Sequence, residues 1–243
     1  LFGGDGLGAC SPDLDALRAR LEGGGVSVNV ACLVPHGNVR CAAMGLEERA
    51  PTSGELAHME DLVAAGMEAG AFGLSTGLVY PPGAFAQTEE LVALARVAAA
   101  PGGVYASHVR DEGARVEAAI EEALHIGEAS GASVQISHHK ASGHTNWGKV
   151  RKTLARLDAA RGRGVDVSSD MYPYTAGSTM LAAMLVPLWV WSAGSPEASL
   201  ARLADPALRP RIVREARARL EELIVLPGLF DHLPKGPLVP LVM

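Results

Sequence analysis

VYASHVRDEG at 104–113 and VQISHHKASGHTNWGK at 134–149 decide how this chain folds. Each begins as a short β-branched, apolar run and reaches a histidine, His108 and His138, with one helix-sized interval between them. Working outward, VSVNVACLVPHG (26–37), GAFGLSTGLVY (70–80) and GVDVSSDMYPY (164–174) repeat the same grammar: a β-rich run, a polar loop, then a helix-period stretch. Together with GGVYASHVR (102–110) and GASVQISHHK (131–140) they predict five βα units.

The intervening helices are expected at 53–69, 87–100, 114–130 and 147–162, where Leu, Ala, Val and Ile recur near i, i+3, i+4 spacing opposite charged residues. Thr52 and Glu55 have capping-box spacing, and Gly70, Gly102, Gly131 and Gly164 stand where a helix must stop before the next strand. Strands apolar on both faces and joined by helices imply a parallel sheet. It could be an open doubly wound sheet or part of a closed (β/α) barrel. Ser75, His108, His138 and Asp170 all fall at C-terminal strand ends, where a barrel collects its active site. No GxGxxG or GxxxxGK turn occurs, and such a turn is the mark of a doubly wound nucleotide fold.

The fold class is therefore read as α/β, a partial (β/α)8 TIM-type barrel of five parallel βα units. One domain, 1–243, is expected, with a helical insertion over 181–225 containing LAAMLVPLWVWSAG and PALRPRIVREARARLEEL. Arg209, Arg211, Arg214, Arg217 and Arg219 are interspersed with Glu215, Glu221 and Glu222, which reads as a solvated helix face. Leu1 and Met243, the latter inside GPLVPLVM, look like cut edges of a longer chain.

With 243 residues, 48% of them apolar, the chain can bury a sizeable core. A net charge of −6, spread along the sequence, offers no basic stripe for nucleic acid and no polybasic patch for a membrane. Neither partner is expected. Charged residues, Pro, Gly or Ser interrupt the apolar runs, no signal-peptide pattern precedes them, and a cytoplasmic location is expected. Cys10, Cys32 and Cys41 fit neither a disulfide framework nor a CxxC zinc site and read as free thiols.

Imidazoles at matched ends of parallel neighbours, about 5 Å apart, can converge on one cation. In the HHK triplet, alternation lets only one of His138 and His139 face the barrel mouth, and Lys140 shares the side of His138. There its ammonium would meet an anionic substrate group. His36 reads as part of a PHGN turn, His58 and His125 as helical, His144 as a loop residue over the mouth, and His232 as peripheral. Ser75 in GLSTG lacks the setting of a nucleophile elbow, and GxSxG is absent.

The run from NVACLVPHGNVR through GAFGLSTGLVYPPGAFAQTEEL, GGVYASHVRDEG, VQISHHKASGHTNWGK and DVSSDMYPYTAGSTML closely resembles the N-acyl-D-amino-acid deacylases of the amidohydrolase superfamily, over roughly residues 26 to 220. The resemblance implies a zinc-dependent barrel that hydrolyses a small-molecule N-acyl-D-amino acid to a carboxylate and a D-amino acid. It makes His108 and His138 the zinc ligands of the family's fifth and sixth strands. Lys140, Tyr172 and Ser178 match positions near the substrate carboxylate, and Tyr80 matches a pocket tyrosine.

The family's HxH pair, its GNCG cysteine, its C-terminal aspartate and the arginine beyond it have no counterpart here, and Cys10 in LGACSP is not equivalent. The chain then corresponds to family strands three to seven, without the catalytic aspartate. Asp170 is expected to order a strand end, and Asp111 to belong to the loop. Two open sheet edges predict an arc that is unstable and inactive alone. A dihydroorotase-like or hydantoinase-like cyclic-amide hydrolase, and a non-catalytic half-barrel module, are the competing readings.

Overall fold

A computed structural model describes residues 14–173 and 179–223. The elements run α1 (Leu14–Gly24), β1 (Val34–Pro35), α2 (His36–Met44), α3 (Ser53–Glu68), β2 (Gly73–Gly77), α4 (Thr88–Ala99), β3 (Val104–His108), α5 (Val116–Ser130), β4 (Ser133–Ile136), α6 (Lys149–Gly162) and β5 (Val167–Ser169). After them come α7 (Leu181–Leu185), α8 (Leu188–Trp191), α9 (Pro196–Ala204) and α10 (Arg209–Leu223). The strands form one parallel sheet in the order β1-β2-β3-β4-β5. A doubly wound sheet would reverse its order at a switch point. Unbroken sequential order is the arrangement of a barrel wall.

The register explains why the two faces differ. Val34, Leu74, Tyr105, Val134 and Val167 form one row across all the strands, and every one of them is buried. Met59 and Val63 of α3, Leu91 and Leu94 of α4, Ile120 and Leu124 of α5 and Leu157 of α6 complete that core. Each such side chain contributes about 1.5–3 kcal/mol by leaving water. The adjacent row, Pro35, Ser75, Ala106, Gln135 and Ser168, is small or polar. The expectation of strands apolar on both faces is thus corrected: only the helix-covered side is apolar, and the other is the concave side of the arc.

Local signals act where expected. Thr52 and Glu55 close a full capping box at the start of α3, and Arg49 holds the same carboxylate through two 2.7 Å contacts. Gly131 ends α5 at φ 80°, with its N–H returned to the Gly127 carbonyl. At Gly73 a Cβ would collide with the Val104 backbone, so only glycine lets β2 and β3 approach here.

The first unit differs from its reading. Only Val34–Pro35 pairs within the predicted 26–37 strand, and Val26, Val28 and Val30 are exposed. His36 is not in a turn; it opens α2 and is fully buried. There its Nε2 lies 2.8 Å from Glu90 Oε1, while Arg40 Nη1 contacts Glu90 Oε2. Arg40 also donates to the carbonyls of Arg49, at 2.7 Å, and Glu47, at 3.2 Å. This network fastens α2 to α4 through buried charge. In the 181–223 region, Arg211 lies 4.2 Å over the Trp189 ring and pairs with Glu215 at 2.7 Å, so the arginine face is partly engaged. No helix among the described residues is long and apolar enough to cross a membrane.

Burial by itself pushes the Glu90 carboxyl up, but the hydrogen bond and positive field of His36, with Arg40, outweigh it and hold the group below the ordinary carboxylate value. A depressed folded-state value means stability that is present above the unfolded value and lost as pH falls through the folded one. Glu90→Ala, which strands Arg40 without its buried partner, is expected to cost about 3–5 kcal/mol. It should also flatten the acid limb of the stability profile. Equilibrium unfolding at pH 7 and through the acid range, on wild type and variant, measures both.

Candidate metal centre

β3 and β4 pair from Val104 with Ser133 up to Ser107 with Ile136, so the chain leaves both strands at the same level of the sheet. His108 is the last residue of β3, and His138 follows β4 by two residues. The Ser137 N–H still reaches the Ser107 carbonyl at 3.0 Å, and His138 then takes φ 41°, alone among the described residues with a side chain. That left-handed conformation costs about 1–3 kcal/mol for a residue with a Cβ. Asp170, just past β5, offsets it by accepting the His138 N–H at 2.7 Å and the Gln135 side-chain amide at 2.7 Å. Asp170 therefore orders the strand end.

This turn brings the two rings together. Their centroids are 4.2 Å apart at an interplanar angle of 56°, and Nε2 of His138 contacts Nδ1 of His108. Burial, and then the neighbouring His138, push the His108 imidazole down, which favours the neutral ring that carries a free lone pair. Two imidazole nitrogens brought into contact on partly covered rings are donors of the kind a zinc-type cation takes, and once parted from each other they would supply half of a tetrahedral shell. Among the described residues, no group of three or more His, Cys, Asp or Glu forms a metal site.

The remaining sequence-predicted site residues separate into three cases. Lys140 lies beside His138, with Nζ 2.9 Å from Nδ1 and 3.2 Å from the His138 carbonyl, and 5.5 Å from the centre of the Tyr172 ring. Tyr172 itself stands 6.2 Å from the His138 ring, centre to centre. Tyr80 joins a different contact, its hydroxyl 2.9 Å from Thr179 Oγ1. Ser178 lies outside the described residues, as do Cys10 and His232.

His139 turns away from the mouth. It is buried against α6, where Thr153 donates to the Val150 carbonyl and so accepts from His139 Nε2 at 2.7 Å. Burial and the Lys140 charge push its ring down. Asp111 accepts the backbone N–H groups of Gly113 and Arg115, which makes it a loop residue. His144 lies against Trp147 in the loop after β4, ring centres 5.1 Å apart and tilted by 58°.

Sequence reasoning passed over two residues beside the site. Glu112 puts Oε1 2.7 Å from Lys140 Nζ and 2.9 Å from His138 Nδ1. Arg110, held on Glu122 by two 2.9 Å bonds, donates to the carbonyls of Ala84 and Ala86 and so pins the loop that carries Tyr80. Both follow His108 directly in RDEG, and a carboxylate four residues past a strand-end histidine was the available signal for Glu112.

A parallel barrel wall here carries paired imidazoles at neighbouring strand ends, where two nitrogen donors can be offered to a metal ion. A scan against protein-family models finds no match. The chain is 45% identical over 202 residues to an N-acyl-D-glutamate deacylase and 49% identical over 168 residues to a D-aminoacylase, both from Alcaligenes xylosoxydans xylosoxydans. These matches cover 81% and 69% of this chain but 41% and 34% of the relatives, so the chain spans well under half of their length. Among solved structures, N-acyl-D-glutamate deacylase from Bordetella bronchiseptica, complexed with zinc and a phosphonate mimic of the tetrahedral intermediate, aligns with TM-score 0.65 at 50% identity. That alignment covers 67% of this chain and 34% of the other. A D-aminoacylase described as defining a novel subset of amidohydrolases aligns with TM-score 0.66 at 44% identity, covering 70% and 36%. Over the matched stretch, this chain is similar in sequence and fold to N-acyl-D-amino-acid deacylases.

The separation of the adjacent histidines is testable. Thr153→Val should leave the buried His139 Nε2–H without its acceptor and lower the unfolding free energy by about 1–3 kcal/mol. Urea unfolding reads that loss, and the site on the opposite side of the turn should keep its geometry.

Proposed function

We propose that the full-length protein containing this chain is a zinc-dependent N-acyl-D-amino-acid deacylase, cleaving a linear amide to a carboxylate and a D-amino acid. The observation that carries the reading is the meeting of His108 and His138 at adjoining strand ends, with Lys140 and Tyr172 beside them. His108 and His138 would hold the metal through Nδ1 and Nε2. A zinc ion supplies Lewis-acid polarisation of the acyl carbonyl and a water acidic enough to ionise near neutrality.

The chain's own residues do the positioning. Lys140, a compact cation on a flexible stem, faces the same space as His138 and suits the substrate's α-carboxylate. Tyr172 borders that space with its ring, and Tyr80 and Ser178 complete the proposed substrate wall. Anchoring the α-carboxylate while the carbonyl sits at the two imidazoles fixes the scissile bond in one orientation, and that orientation selects the hand of the substrate. The one-domain barrel over 1–243 with a 181–225 insertion belongs to the same proposal. A cytoplasmic setting belongs to the same proposal.

His108→Ala in the full-length protein should lose bound zinc, and its hydrolysis of N-acetyl-D-amino acids should fall to background. Lys140→Met should retain zinc and lose roughly 10- to 100-fold in kcat/KM, the equivalent of one charge-assisted hydrogen bond. Metal analysis and an amide-hydrolysis assay with D- and L-substrates provide the readouts. Hydrolysis of cyclic imides but not of N-acyl-D-amino acids would overturn the proposal.

A further inference from the structure

We infer that Glu112 is a positioning residue that fixes the His138 tautomer and counter-charges Lys140; this rests on the metal centre proposed above. The argument follows from donor and acceptor chemistry around one atom. His138 Nδ1 has two polar neighbours at 2.9 Å, Lys140 Nζ and Glu112 Oε1. Neutral imidazole carries one proton, so a ring that offers its Nε2 lone pair to a cation must carry the proton on Nδ1. An ammonium has no acceptor for that proton. Among these two neighbours only Glu112 Oε1 does.

As the side chains stand, Lys140 points a donor at Nδ1, the arrangement for a ring protonated on Nε2 and bonded to His108. Engaging Nε2 with a metal reverses the demand at Nδ1. Glu112 Oε1 lies 2.9 Å from Nδ1 and meets that demand once its carboxylate turns into line with the N–H, and its 2.7 Å bond to Lys140 lets the ammonium remain satisfied when it releases the ring. Lys140 keeps the His138 carbonyl as a further acceptor at 3.2 Å. Carboxylates in this relation to a ligating histidine raise its basicity and hold its plane, and losing one costs metal affinity.

Glu112 is half-buried and is delivered by the turn directly after β3, four residues beyond His108. The loop that carries it is fixed independently. Ser142 N–H reaches the Glu112 carbonyl at 2.6 Å, and Asp111 caps the turn through Gly113. The side chain is thus presented by a held backbone, and a substitution at Glu112 leaves those supports in place.

The test uses zinc and the full-length protein, with affinity measured by chelator competition on wild type, Glu112→Gln, Glu112→Asp, Lys140→Met and His108→Ala. Glu112→Gln should bind zinc roughly 10- to 100-fold more weakly. Glu112→Asp, which keeps the anionic acceptor, should recover part of that loss, whereas Lys140→Met should stay near wild type. In the zinc-loaded protein, ¹⁵N shifts of His138 should report a protonated Nδ1. If Glu112→Gln binds zinc as tightly as wild type while His108→Ala loses it, the metal centre stands and the role of Glu112 falls. If His108→Ala retains full affinity, the proposed centre falls, and the role of Glu112 with it.

Discussion

The parallel pairing of β3 with β4 is the constraint from which the site follows. Ser107 sits opposite Ile136 and receives the Ser137 N–H, so both strands finish at one level and point their exits the same way. Parallel strands can be joined only by a crossover, which here is α5, and the crossover returns the chain to the same starting edge each time. Two histidines thirty residues apart in sequence therefore meet because the repeat is regular. A slip of one residue between β3 and β4 would turn Val134 and Ile136 away from the helices and separate the rings.

The two faces of the sheet divide the work. The row from Val34 to Val167 is buried under α3 to α6 and supplies the hydrophobic free energy. The row containing Ser75, Ala106 and Gln135 is small and polar, and leaves the concave side open. Charge inside the helical layer is paired across neighbouring elements in the His36, Arg40 and Glu90 network between α2 and α4, although His36 Nδ1 and Arg40 Nε make no hydrogen bond there. Loss of any member would leave a desolvated group unpaired, so the network imposes a geometry on the chain as it leaves β1.

Much of this was legible in residues. The βα grammar located β2 to β5 and α3 to α6, the Thr52 capping box fixed the start of α3, and histidines ending two apolar runs marked the site. The exceptions have physical causes. Val26, Val28 and Val30 have strand composition, but a strand is defined by its partner, and only Val34 and Pro35 have one. The PHGN motif looks like a turn because Gly and Asn favour one. What makes His36 helical and buried is Glu90, fifty-four residues away, and local pattern carries no trace of it. Glu112 carried only the weak signal of its spacing from His108 for a related reason: its partners His138 and Lys140 arrive from the next βα unit.

His138 shows how such a unit can place one side chain beyond the reach of its ladder. Pleat alternation would suffice to separate His138 from His139 inside a strand, but β4 ends at Ile136, and the separation is achieved by a left-handed turn instead. A turn outside the sheet has no ladder to hold it, so other groups must. Asp170, arriving from β5, fixes the backbone N–H; Glu112, arriving from β3, faces the ring nitrogen; Ser107 receives the preceding N–H. Neighbours on both sides of β4 thus hold one imidazole. This explains why the site requires at least three consecutive βα units in register, and why no shorter segment of the same sequence could present His138 to His108.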